Sequence, residues 1–376
     1  MITRQRVVTF GIGTLAAATV ITAAGLTPWS SNGRPVSLVT PTPIAEPGEP
    51  GHRVDVVFAV DTTGSMGGLI DSAKRAVWSI ATHIRELDPQ ADLHVGLVAY
   101  RDIGDDYVTK DFALSGDLDA VFASLSSFQA SGGGDNPEDV AAGLYDAVHK
   151  MAWRDGAKKM MFLVGDAPPA DRGDVPRYSV IAAEAGQQQI VVNTIRCGPD
   201  RATEVAWREI ATLGHGEFSS IEEDGGVHQV ATPYDDKLSE LSARIDHGAV
   251  IVGDDGHRDA YQAKMAATAA APAPSKADRA GFYGAGARDK DDLVTGVLNG
   301  AMDPAAVPPE ALPADLRGMT KGALKTEIDR RVTARKAAQA EIQELTKQRA
   351  QFLSKHAKGD GFDAKVKSTV DKEMLK

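Results

Sequence analysis

The chain has 376 residues, with 41 lysines and arginines against 52 aspartates and glutamates, a formal charge of −11; 43% of its residues are hydrophobic and 25% charged. This is ordinary composition for a soluble globular protein of roughly two to three domains' length, and the acidic balance argues against a general surface for nucleic acid or anionic lipid, both of which need cationic patches. Cys197 is the only cysteine, which excludes an intramolecular disulfide framework and a cysteine-rich zinc or iron–sulfur cage.

Arg4 and Arg6 precede an uncharged, mostly apolar run from Val7 to Leu26, and no acidic residue appears before Glu46. That order of charge and hydropathy marks an export segment over residues 1–26, either a signal peptide cleaved near Ala23 and Ala24 or an uncleaved membrane anchor. Residues 27–51 are rich in Pro, Ser, Thr and Gly without apolar periodicity, and read as an extended tether.

From 52 to 247, short apolar runs alternate with segments of helical period, the pattern of an α/β fold with a mostly parallel six-stranded sheet, doubly wound. Strands are predicted at 53–60, 93–100, 107–114 (an edge strand), 160–164, 190–195 and 216–221. The first helix is announced by Met66, Leu69, Ile70, Ala73, Val77, Ile80 and Ile84 at three- and four-residue intervals. Further helices are expected at 118–128, 137–151 with Pro137 in its first turn, 178–188 and 202–213. Residues 248–315 read as an irregular linker, with an Ala/Pro stretch at 266–274 and a second break at 304–313. Residues 316–376 read as an α-helical C-terminal region in which 321–353 form one long amphipathic helix. Its apolar seam is interrupted by Arg335 and Arg349, which leaves open whether it joins a coiled coil or packs back on its own domain.

One group of residues carries chemistry. The first strand runs into Asp61-Thr62-Thr63-Gly64-Ser65-Met66, and in an open parallel sheet ligands collect beyond the carboxyl ends of the strands. The oxygens of Asp61, Thr63 and Ser65, turned inward by a tight loop at Gly64, are what a hard divalent cation requires. The competing reading is helix capping, which Thr63 or Ser65 would serve equally well. Two further loops bring oxygen ligands to strand or helix mouths. One is Ser131-Gly132-Gly133-Gly134-Asp135-Asn136-Pro137-Glu138-Asp139; the other places Asp166 after the strand Phe162-Leu163-Val164-Gly165.

With these three loops on the page, the chain resembles the von Willebrand factor type A (vWA) domain, in its bacterial and alpha-kinase-associated branch. Asp61, Thr63 and Ser65 match that family's D-x-[ST]-x-S motif, and Asp166 matches the aspartate of its third metal loop. The second loop of the family offers a threonine; here that role is given to Asp135, with Glu138 as the competitor. The resemblance covers about half the chain and implies a metal-ion-dependent adhesion site (MIDAS) that binds Mg2+, Mn2+ or Ca2+, with Mg2+ first. It also implies a protein partner whose acidic residue completes the metal shell. Three carboxylates at Asp61, Asp135 and Asp166 would neutralise the ion more fully than the family pattern does.

The reading is therefore an exported (secreted, periplasmic or envelope-anchored), metal-dependent protein-binding module for adhesion or scaffolding. It is not an enzyme and has no nucleic-acid partner; membrane attachment would come through the N-terminal segment. The alternatives are a metal-dependent hydrolase using the same ion, for which no base or nucleophile is found, and a metal-free structural scaffold. Arg101 and Asp102, at the end of the second strand, are expected to support the site, and Cys197 to be a buried inert thiol.

Overall fold

The first strand is apolar on both faces, and the reason is its central position. In the computed structural model, which describes residues 51–134, 137–171, 174–222, 225–226, 230–284, 291–356 and 361–375, β1 (Arg53–Asp61) lies between β2 (Asp92–Tyr100) and β4 (Lys158–Gly165). The six-stranded sheet has the order β3-β2-β1-β4-β5-β6, with β3 (Thr109–Ser115), β5 (Ile190–Cys197) and β6 (His215–Ile221) completing it. Every pairing is parallel except that of the edge strand β3 with β2. The order reverses between β1 and β4, so the crevice beyond their carboxyl ends is the topological switch point of the sheet.

Period-two alternation sorts the strands onto two cores. Val54, Val56, Phe58 and Val60 of β1, with Met160, Phe162 and Val164 of β4, meet α1 (Gly67–Leu87) and α2 (Leu118–Ser126). Val57, Ala59, Met161 and Leu163 face the opposite layer, built from α3 (Val140–Tyr145), α4 (Tyr178–Gln187) and α5 (Arg201–Leu213). All seven apolar residues that announce α1 are buried, and Trp78 and Trp207 are fully enclosed, one on each face. This is the doubly wound α/β fold expected.

The third helix begins later than expected. Glu138 is drawn into a bridge with Pro169, and Asp139 becomes the N-cap by accepting from Ala142 N–H at 3.0 Å, so Pro137 precedes the helix. After Tyr145 the helix continues as a π turn over Asp146–Lys150.

The largest correction concerns the chain beyond β6. Residues 248–315, expected as irregular linker, contain α7 (Asp255–Ala269), α8 (Ala273–Tyr283) and α9 (Leu293–Leu298), after α6 (Asp235–His247). Alanine is the strongest helix former, and Pro272 and Pro274 fall at the cap and first turn of α8, where proline costs little; the Ala/Pro stretch is a corner between two helices. The 304–313 break holds two short 3-10 turns.

The long helix α10 (Lys321–His356) packs back on its own chain, and the two arginines that interrupt its seam do the fastening. Arg335 reaches Asp292, Thr295 Oγ1 and the carbonyl of Ile245; Arg349 binds Asp235 at 2.7 Å and Asp278 at 2.6 Å. The final helix, α11 (Phe362–Met374), joins the first core: Val366 and Val370 are buried there and the Phe362 ring lies 6.1 Å from that of Phe58. A boundary at 247 therefore divides residues that share one core. Residues 1–50, which include the export segment and nearly all of the tether, lie outside the described residues; among those described, no helix is long and apolar enough to cross a membrane.

Arg279 of α8 joins this outer layer to the sheet domain. It meets both oxygens of Asp119 on α2, at 2.7 and 2.6 Å, and Asp246 on α6 at 2.7 Å, with arginine and Asp119 both almost fully buried. Removing one member of such a group leaves the other charge buried and unopposed. Arg279→Ala is expected to lower unfolding free energy by about 3–5 kcal/mol, read as a fall in the urea midpoint; a midpoint within error of wild type would contradict the clamp.

Candidate metal site

Asp61 is the last residue of the central strand and is wholly buried, as is the Thr62 beside it. The chain then turns through a 3-10 segment, Gly64–Met66, into α1. Within that turn, Asp61 Oδ1 accepts from the Thr63 N–H at 2.9 Å and from the Thr63 hydroxyl at 2.7 Å, and Thr63 Oγ1 lies 3.4 Å from Ser65 Oγ. Three of the expected residues are thus drawn together by local geometry. Capping is not what holds them: neither the 3-10 turn nor α1 takes a side-chain cap, whereas α2, α3, α5, α7 and α9 are each capped by an aspartate.

The second loop lies alongside the first through backbone hydrogen bonds. Ser131 N–H donates to Thr62 O at 3.1 Å and Gly64 N–H to Gly132 O at 3.2 Å. Gly132 and Gly133 adopt φ of +78° and +74°, a left-handed pair that only glycine enters without strain. Gly133 N–H is received by Asp105 Oδ2 at 3.0 Å. Asp135 lies outside the described residues. Glu138 is described and buried, and its main chain links the second loop to the third: its N–H donates to Pro168 O at 3.1 Å and its carbonyl accepts from Ala170 N–H at 2.7 Å. Asp166, half-buried, follows β4, and its carbonyl accepts the Thr203 hydroxyl at 3.0 Å.

Arg101 braces the site from beneath. Its Nε donates to Thr62 O at 3.1 Å, an Nη to Gln129 O at 2.7 Å, and its guanidinium stacks on Tyr107, so one buried side chain ties the first loop to the second. Tyr100, fully buried, donates to Val164 O at 3.2 Å. Asp105, Tyr100 and Thr203 were not singled out from sequence, because each acts through contacts distant in the chain. Cys197 is buried, and burial pushes its thiol well above its usual range, as an inert core cysteine requires. Arg172-Gly173, the start of an Arg-Gly-Asp tripeptide, lies outside the described residues.

Asp61 Oδ2 and Glu138 Oε2 are both buried and have no hydrogen-bond partner among the described residues. Burial, followed by the charge of Asp166, raises the Asp61 carboxyl from 3.8 to about 7, against the pull of its Thr63 bonds. Burial and then the charge of Asp61 raise Glu138 from 4.5 to about 8. Among the described residues no three His, Cys, Asp or Glu side chains are grouped as a metal cage; the oxygens gathered at the first loop are those of one carboxylate and two hydroxyls.

Residues 55–223 match the family model described as the von Willebrand factor A domain. The chain is 30% identical over 118 residues to the alpha-protein kinase vwkA of Dictyostelium discoideum, a match covering 31% of this chain and 18% of that protein. It is 29% identical over 119 residues to a putative ariadne-like RING finger protein, R811, of Acanthamoeba polyphaga mimivirus, covering 31% and 11%. The matches thus span less than a fifth of the length of these relatives. Among solved structures, the mussel byssus proximal thread matrix protein 1 with a zinc-occupied MIDAS motif aligns at 14% identity over 58% of this chain and 46% of its own, with a TM-score of 0.33.

A buried carboxyl whose pKa rises on folding is favoured in its protonated form. Without an opposing cation, the fold therefore loses stability as pH rises from the ordinary carboxylate range through about 7. Asp61→Asn retains an oxygen for both Thr63 donors and removes the charge. In chelator at pH 8 this variant is expected to melt a few degrees above wild type, with the gap closing at pH 5; a lower melting temperature at pH 8 would count against the unopposed charge.

Proposed function

We propose, from the premise that residues 55–223 form a von Willebrand factor A domain, that the chain is an exported protein-binding module whose binding face is organised by a divalent cation. Domains of this type serve interaction rather than catalysis as a rule. The observation that carries the cation is Asp61 Oδ2: an ionisable oxygen at the switch point of the sheet, fully buried and without a hydrogen-bond partner among the described residues. Burying a carboxylate without a counter-charge costs several kcal/mol, and a bound cation offsets that cost.

Asp61, Thr63, Ser65 and Asp166 would hold the ion, together with a residue of the second loop, Asp135 or Glu138. Donors that are all oxygen suit Mg2+, Mn2+ or Ca2+, Mg2+ being the first choice. When bound, the ion supplies a concentrated positive charge at the end of the sheet. The chain's own residues orient it: Thr63 fixes the Asp61 carboxylate, Arg101 and the glycine pair fix the loops, and Thr203 fixes the backbone at Asp166. Ser65 and Gly64 are exposed, which leaves this end of the sheet accessible to a protein partner. Export rests on Arg4, Arg6 and the apolar run to Leu26, which would also provide any membrane attachment.

A ligand that binds only the folded state raises stability by about 2.7 kcal/mol at a hundredfold excess over Kd. Wild type should therefore melt higher in Mg2+, Mn2+ or Ca2+ than in chelator, and Asp61→Ala should show no such shift. Pull-down from the native cell envelope with wild type should retain a protein in divalent cation, release it in chelator, and retain none with Asp61→Ala. Absence of any metal-dependent shift in wild type would refute the reading.

A further inference from the structure

The helices that follow the sheet enclose a cavity of about 540 Å3, bounded by α6, α7, α8 and α10 and separate from the candidate metal site. Sites for small molecules span about 300–1,000 Å3. The apolar part of its lining includes Ile251, Tyr261 and Met265, and its rim carries the exposed Gln262 and Ala266, so it is reached from solvent.

The cations that line this cavity are unequally satisfied. Arg279, the deepest, gives its donors to Asp119, Asp246 and Ser242, and Arg258 is held by Asp255 at 2.5 Å and by the Gly253 carbonyl at 2.6 Å. Lys276 and Arg331 are different. Lys276, half-buried on α8, reaches only the Ala269 carbonyl, at 3.4 Å, and forms no ion pair among the described residues. Arg331, on α10, is 19% exposed and gives its Nε to Glu327 at 2.7 Å; its Nη atoms donate no hydrogen bond among the described residues, and the exposed Asp315 stands 3.8 Å away. Arg330 draws on the same Glu327 carboxylate, so two guanidinium groups share one negative charge. Ser239 lines the same cavity, and its hydroxyl oxygen is buried without a hydrogen-bond partner among the described residues.

A second cavity of about 340 Å3 shares His247 and Arg331 with the first and adds Arg244, Arg330 and Arg335, with no carboxylate among its described lining residues. Those three arginines have acids of their own in Glu240, Glu327 and Asp292, which leaves Arg331 as the guanidinium with free arms. Half-buried N–H donors on a fixed cation make strong, charge-assisted hydrogen bonds to oxyanions, and low-dielectric walls concentrate their field.

We propose that the larger cavity binds a small organic anion, a carboxylate or phosphate monoester with an apolar body. Its head group is received by Arg331 and Lys276, and its body lies against Tyr261 and Met265. The site stands independently of the cation at the carboxyl end of the sheet.

Isothermal titration calorimetry of the full chain in chelator tests this with 1-naphthyl phosphate, 1-naphthoate and neutral 1-naphthol, which share one ring system and differ in charge. Each anion is expected to bind once per chain and about tenfold or more tighter than naphthol, as charge-assisted hydrogen bonds require. The tighter of the two anions distinguishes a phosphate ester from a carboxylate as the ligand. Arg331→Met and Lys276→Met, which remove charge and keep bulk, should each weaken the anions by about tenfold and leave naphthol unchanged. Ala266→Trp, at the exposed rim, should weaken all three, and a melt matching wild type shows that each variant folds. Failure of both anions to bind wild type, naphthol binding as tightly as they do, or anion binding that survives both methionine substitutions would overturn the proposal.

Discussion

The arrangement at the top of the sheet depends on one buried carboxylate. Asp61 ends the central strand, where neighbours on both sides exclude water. One of its oxygens is satisfied twice by Thr63, and the other has no hydrogen-bond partner among the described residues. A carboxyl buried in this way stays ionised only where something positive meets it, since desolvation alone favours the protonated form. Arg101 donates hydrogen bonds to Thr62 and Gln129 and so steadies the loops; its charge pulls the Asp61 carboxyl down, but by less than burial raises it.

From this follows a division of labour between backbone and side chains. The three loops are joined chiefly by main-chain hydrogen bonds, from Ser131 to Thr62, Gly64 to Gly132, Glu138 to Pro168 and Ala170 to Glu138. Side-chain oxygens are thereby left available for a ligand. Uncapped α1 fits the same logic: five other α-helices among the described residues are capped by aspartate, whereas the hydroxyls of Thr63 and Ser65 are not spent on the helix that follows them.

Sequence revealed the sheet because alternation in β1 and β4 sorts residues between two cores, and it revealed the first loop because Asp61, Thr63 and Ser65 are neighbours in the chain. What it could not reveal depends on partners far away. Glu138 is drawn out of its helix by a bridge to Pro169, and nothing within its own segment announces that bond. Arg335 and Arg349 looked like breaks in an apolar seam because an isolated arginine reads as a solvated one; their partners lie 43 residues away at Asp292 and 114 away at Asp235. The Ala/Pro stretch looked like a linker because composition does not show that its prolines fall at a helix start.

Crystals grown with Mn2+ would address the central claim most directly, through an anomalous difference map at the manganese edge. The account predicts a peak within about 2.0–2.6 Å of Asp61 Oδ2, at the carboxyl ends of β1 and β4. A map with no peak there from a protein saturated with Mn2+, or with Asp61 Oδ2 still unpartnered and the metal bound elsewhere, would contradict it.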